Sequence, residues 1–202
     1  MAQVVANYLA ATDSRDKLIK GAGCFFKVVA ATSGDAKYIK IATAMSDCRC
    51  LMRMCTWLSN IQKISDALES KTVKVRDIIF IFRFLMDGIF SLLDNVTYIG
   101  TIFSKNPQFK KIGLISRACL FYGYVGAVAL NVYDLANDTN IPNRNAAYLV
   151  LTRNTCDLVS CVGNVSNVDL GAFTPSFLGL ISAIIASREL FMAAQKKTLA
   201  KK

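Results

Sequence analysis

Two stretches of this chain, Ala118 to Tyr133 and Leu170 to Ser187, contain no charged residue, and proline hardly interrupts the sequence around them. Only three prolines occur in 202 residues: Pro107, Pro142 and Pro175. Proline ends or kinks a helix by removing a donor and clashing with the preceding turn, so long helices are allowed nearly everywhere. Clean period-2 runs bounded by hairpin turns are few, which argues against a β fold. The chain is expected to be all-α.

The environment follows from an unusual pairing. The chain is 53% hydrophobic and carries a formal net charge of +10, with a mean hydropathy of +0.38. Apolar runs suit a bilayer interior, and cationic residues suit its anionic surface. Nucleic acid is the other common partner of a basic chain, but no basic, aromatic-bearing domain is visible here, so no nucleic-acid partner is expected. The segment from Met1 to Lys17 lacks the basic, then apolar, then small-residue order of a secretory signal. The final Lys201-Lys202 is not a peroxisomal S-K-L address.

Helical periodicity divides the rest. A short helix is expected from Gln3 to Ala11, with Thr12-Asp13-Ser14 as break and cap. A second runs from Ser14 to Ala31 and ends before Ser33-Gly34-Asp35. A third is expected to run unbroken from Ala36 to Leu68. Its stripe, Tyr38, Ile41, Met45, Cys48, Met52, Cys55, Leu58, Ile61, Ile64 and Leu68, is spaced by threes and fours. Four more apolar helices follow: Asp77–Phe103, ended by Lys105-Asn106-Pro107; Ile112–Leu135; Ala146–Val165 after a polar loop from Asn137 to Asn145; and Leu170–Gln195, with Thr174 as N-cap and Pro175 in the first turn. A bilayer span needs about 20 residues, so these four read as spanning or deeply embedded, two or all four of them crossing. The fold class is a membrane-associated helical bundle. Residues 1–76 form an amphipathic, membrane-surface region, and residues 77–202 form an embedded region with a short basic tail.

Charges inside the apolar helices need shelter, because an unpaired charge in hydrocarbon is costly. Arg83 and Asp87 are four apart on one face and can pair, and Arg153 and Asp157 repeat the spacing. Two readings stay open for Arg83, Asp87, Asp94 and Arg117: a solute or ion pathway, or ion pairing that fixes helix packing. Glycines around Gly123–Gly126 and Gly171–Gly179 allow close helix approach. Cys48, Cys50 and Cys55 cluster without a zinc spacing, and the chain has no histidine. The seven cysteines read as small hydrophobes in a reducing compartment. Neither a nucleophile elbow, a P-loop nor a zinc-protease motif is present. No catalytic, cofactor-binding or metal site is expected, and the chain reads as a non-enzyme.

In order along the chain, several landmarks resemble the peroxisomal biogenesis factor eleven family, including its glycosomal members. Thr12-Asp13-Ser14-Arg15-Asp16-Lys17 resembles the family's T-D-G-R-D-K opening, with Ser14 in place of Gly. Leu92-Leu93-Asp94-Asn95-Val96-Thr97-Tyr98 is similar to its L-x-D-N-x-x-W segment, with Tyr98 in place of Trp. Arg153-Asn154-Thr155-Cys156-Asp157-Leu158 is similar to a later R-N-x-x-D-L element, and Leu178-Gly179-Leu180-Ile181-Ser182 to the terminal membrane helix. The resemblance implies a multi-pass protein of the peroxisomal or glycosomal membrane with cytosolic termini. It implies promotion of organelle elongation, proliferation and division through amphipathic-helix insertion, self-association into a dimer or larger homo-oligomer, and recruitment of fission machinery. The alternative it implies is a pore for small metabolites. An inserted helix widens one leaflet. Lys17, Lys20, Lys27, Lys37, Lys40, Arg49, Arg53 and Lys63 are the expected contacts to anionic phospholipid, although Ser14–Ala31 fits packing against the protein's own bundle equally well.

Overall fold

The computed structural model describes residues 2–69, 74–104, 106–137, 143–166 and 168–200. Every regular element among them is helical: α1 (Ala2–Ala10), α2 (Thr12–Ser33), α3 (Ala36–Met52), α4 (Thr56–Leu68), α5 (Val75–Phe103), α6 (Gln108–Asn137), α7 (Arg144–Ser160), a short 3-10 turn (Val162–Asn164) and α8 (Phe173–Leu199). The all-α class is as the sequence predicts.

Local chemistry sets most boundaries. α2 stops at Gly34, whose φ of 71° places it in the left-handed region that glycine occupies without strain. Asp35 then accepts from the Lys37 N–H at 2.9 Å and caps α3. Asp77 accepts from the Lys74 N–H at 2.9 Å and caps α5. Asn106 and Asn143 cap α6 and α7 in the same way. Lys105 and positions 138–142, including Pro142, lie outside the described residues, as does the terminal Lys201-Lys202.

Four boundaries differ from expectation. The expected helix from Ala36 to Leu68 is two helices, α3 and α4, broken at Cys55, whose φ is 63°. The break is fixed by side chains that helix periodicity does not see. Thr56 donates its hydroxyl to the Arg53 carbonyl at 2.9 Å and lies 2.6 Å from the Ser91 hydroxyl on α5. Arg53 reaches Asp94 of the same helix at 3.0 Å. α2 begins at Thr12 with Ala11 as its N-cap, so Thr12 and Ser14 lie inside the helix. α7 stops at Ser160 rather than Val165, and a 3-10 turn follows. α8 begins at Phe173, one residue before Thr174, because Gly171 turns the chain at φ 65° and Ala172 is the cap.

By packing, the chain forms two compact units, Met1–Met52 with Leu170–Lys202, and Arg53–Asp169. In the first, α2 lies between α3 and α8, and α1 packs on α8 and α2. In the second, α4 packs on α5, α5 on α6 and α6 on α7; among the described residues α4 does not reach α7. The second unit is therefore a row one helix thick.

Much of what lies inside these contacts is small or polar. Among the described residues the largest side chains wholly buried are two serines, Ser116 and Ser182, and five of the eleven buried apolar residues are alanines, alongside Val4, Tyr8, Phe90 and Leu130. Large apolar side chains point outward, among them Phe103, Ile102, Ile184, Ile115 and Phe177. A domain folded in water ordinarily buries such residues and exposes serine. Among the described residues two helices, α6 and α8, are long and apolar enough to cross a membrane. α5 has the length at 29 residues but carries Arg83, Asp87 and Asp94, and α7 has 17 residues with Arg153 and Asp157.

Candidate functional site

α5 and α6 are joined by matched pairs that run in opposite sequence order, so the helices are antiparallel. The Phe109 ring lies on Gly100, and Thr97 faces Gly113. The Ser116 hydroxyl donates to the Phe90 carbonyl at 3.1 Å. The Asp87 carboxylate lies on Gly123, and a β-carbon at Gly126 would stand 3.1 Å from the Arg83 Cα. Arg76 and Asp134 close the far end at 2.7 Å. The glycines admit backbone approach that any side chain would block. The expected close approach at Gly123–Gly126 is thus present, with charged residues of α5 seated over it.

The charges read as a pathway sit as follows. Arg83 pairs with Asp87 along α5, Nε to Oδ2 at 3.8 Å. Asp94 accepts from Arg53 in the turn between α3 and α4, whose guanidinium also lies 5.3 Å from the Phe90 ring centre. Arg117 is exposed and donates from Nε to the Gly113 carbonyl of its own helix at 3.3 Å. Asn95, beside Asp94, is buried.

Of the opening motif, Thr12, Asp13 and Arg15 are exposed, and Arg15 donates to the Thr12 hydroxyl at 3.3 Å. Asp16 is 5% exposed. Its carboxylate accepts from Arg49 Nε of α3 at 2.9 Å and from Lys17 Nζ at 3.1 Å. Burial alone would push this carboxyl up; Arg49 and Lys17 together outweigh it and hold the group down at about 2. Phe26 stacks on Tyr38 at 6.2 Å further along the same antiparallel pair. The later motif contributes Asn154, buried, which donates to Asn131 Oδ1 of α6 at 2.6 Å. Arg153 donates to Asn154, and Asp157 is buried.

α2 is equally committed to α8. Lys20 donates to the Ser182 hydroxyl at 2.9 Å. Gly21 faces Ala183, and a β-carbon at Gly179 would meet Cys24 Sγ at 2.8 Å. The order of these pairs makes α2 antiparallel to α8, and α1 continues the track through Tyr8 on Phe191 and Asn7 donating to Thr198. Between the two readings left open for Ser14–Ala31, the contacts are those of a helix packed in its own bundle.

The eight cationic residues read as lipid contacts divide accordingly. Lys17, Lys20, Arg49 and Arg53 each bond a neighbour within their own unit. Lys27, Lys37, Lys40 and Lys63 are exposed. Lys37 pairs with Asp35 at 2.8 Å, and Lys63 lies over the Phe84 ring. The interhelix pairs Thr56–Ser91, Lys20–Ser182 and Asn131–Asn154 carry no signature in the sequence. Polar residues at apolar-stripe spacing were the available signal.

The family model for peroxisomal biogenesis factor 11 (PEX11) matches residues 2–143. That span contains the opening motif and the Asp94-Asn95 segment, while Arg153–Leu158 and α8 lie beyond it. No curated protein and no solved structure matches the chain.

Proposed function

The chain belongs to the peroxisomal biogenesis factor 11 family, a family of peroxisome biogenesis factors and not a known enzyme family, and from that premise we propose that it is an integral membrane protein that elongates and divides the peroxisome or glycosome. One observation carries the proposal. Many helix contacts rest on glycine, alanine, serine and buried hydrogen bonds, with a few buried rings among them, while most of the large apolar side chains face outward. In water that arrangement exposes what solvent rejects; in lipid the tails solvate the apolar surface, and close packing with polar contacts holds the helices together. α6 and α8 are the proposed spans.

Amphipathic insertion is assigned to α4. It carries Leu58, Ile61 and Leu68 at 52, 55 and 60% exposure. Seating them below the headgroups, with Lys63 at the surface, expands one leaflet. Anionic phospholipid, a second copy of the chain and the fission machinery are the proposed partners. The packing contacts of Arg83, Asp87 and Asp94 support a structural role for those charges over a solute pathway.

Alkaline extraction of organelle membranes tests embedding: the protein should stay in the pellet, and its release to the supernatant would refute integral insertion. Loss of the protein should leave fewer, larger organelles, and unchanged number and length would refute the proliferation role.

A further inference from the structure

Within the second unit, α4 and α5 do not close fully on each other. Between them lies a cavity of about 160 Å³, walled by Trp57, Ile61 and Ile64 on one side and Phe84, Leu85 and Ile89 on the other. A dry apolar hollow of ~150 Å³ accepts one benzene-sized body, or a short run of hydrocarbon chain. Gly88 helps to make the hollow, since it lends no side chain to fill it; a β-carbon there would stand 3.6 Å from the Asn60 Cβ.

Two further features say what fits. Three wall residues, Ile61, Leu85 and Leu92, are 55, 45 and 41% exposed, so the cavity opens sideways onto the apolar flank that α5 also displays through Phe82 and Val96. A ligand entering there comes from an apolar phase. At the rim stands Lys63, its Nζ 4.6 Å from the ring centre of the wall residue Phe84. Lys63 has no carboxylate partner among the described residues. An apolar slot open to the side with a cation at its edge complements an amphiphile with a negative head.

We propose that this slot binds one acyl chain of an anionic phospholipid, with Lys63 holding the headgroup phosphate. The proposal rests on the membrane reading above and adds to it a discrete, saturable site. A surface helix that merely partitions into lipid has no such stoichiometry. Occupancy would also wedge α4 against α5 and so fix the face that α4 presents to the leaflet.

Trp57 is the chain's single tryptophan and lines the slot, which supplies the readout. The full chain in neutral detergent is titrated with anionic phospholipid brominated on one acyl chain, with the zwitterionic lipid of the same chain, and with the brominated free fatty acid. Anionic phospholipid should quench Trp57 saturably near one equivalent. Lys63→Glu should weaken that binding roughly tenfold, and Gly88→Leu, which fills the slot, should abolish it. Circular dichroism checks that Gly88→Leu folds; Lys63→Glu, at an exposed position, keeps the test open if it does not. Quenching that rises without saturation and equally with zwitterionic lipid overturns the proposal, as does saturable quenching that persists in folded Gly88→Leu. Preference for the free fatty acid overturns the phospholipid assignment. A protein that resists alkaline extraction yet shows no saturable quenching loses the slot alone, whereas one that is extracted loses the membrane reading itself.

Discussion

Arg49 on α3 donates its Nε to the buried carboxylate of Asp16 on α2 at 2.9 Å. Because α2 also packs on α8, this pair ties the third helix to an element already held on its other side. Removing one partner of a buried pair leaves the other charge uncompensated, at a cost of about 3 kcal/mol. Asp16→Ala should therefore lower the thermal midpoint in detergent, and Arg49→Met on that background should recover part of the loss. If the double variant is no more stable than the single one, Asp16 and Arg49 do not act as a pair.

The same pair gives an acid limb. The Asp16 carboxyl lies at about 2 when folded, below its ordinary 3.8. The folded value is depressed, so the stabilisation is complete above the ordinary value and is lost as pH falls through the folded one. It amounts to ~2 kcal/mol at neutral pH. Melts of the protein between pH 5 and pH 2 should show this loss, and Asp16→Asn should flatten it. An equal acid slope in the variant would place the titration elsewhere.

The opening motif was legible as a motif, but its purpose was not. Asp16 read only as a motif residue and Lys17 as a lipid contact, because spacing within one helix cannot reveal an arginine 33 residues later. Periodicity located six of the eight helices to within a turn or so and read the other two, α3 and α4, as one. The stripe from Tyr38 to Leu68 stays in register through Cys55, and no Gly or Pro occurs between Asp35 and Leu68 to announce a turn. The break is set by Thr56 and Arg53 meeting α5, a long-range choice that overrides local propensity. Glycine spacing was more informative: Gly123 and Gly126 do mark the α5–α6 contact.

Cys55 is the only described non-glycine residue with positive φ. A β-carbon in that region costs about 1 kcal/mol or more. Cys55→Gly should be neutral or stabilising by about that amount, and β-branched Cys55→Val should destabilise. Thermal denaturation of both variants checks the order; a more stable Cys55→Val would indicate that α3 and α4 are continuous in solution.

Glycines in close contact should separate from glycines that only look alike in sequence. Gly→Ala in a helix interior gains about 1 kcal/mol from propensity where there is room. At Gly21 the new β-carbon meets Ala183 at 3.5 Å, an ordinary contact. At Gly126 it meets the Arg83 backbone at 3.1 Å, which cannot yield as a flexible side chain can. Gly21→Ala should hold or raise the thermal midpoint, while Gly126→Ala should lower it, the overpacking costing about 1–3 kcal/mol of stability. The opposite order would exclude the α5–α6 contact as described.

The basic residues should divide in the same manner between stability and membrane binding. Lys20 and Arg49 are held by Ser182 and Asp16, so Lys20→Met and Arg49→Met should change melting and leave lipid affinity nearly alone. Lys27, Lys40 and Lys63 are exposed, with their ammonium groups available to a bilayer surface. Each such contact is worth about 1 kcal/mol near an anionic membrane, so neutralising all three should weaken binding to anionic liposomes by roughly two orders of magnitude at low salt. The deficit should shrink as ionic strength rises, because surface charges are screened over ~10 Å at 0.1 M. Co-sedimentation across a salt series measures both effects. An equal loss of affinity in Lys20→Met would mean that α2 leaves α8 to meet the lipid, and the bundle contacts of that helix would not describe the membrane-bound protein.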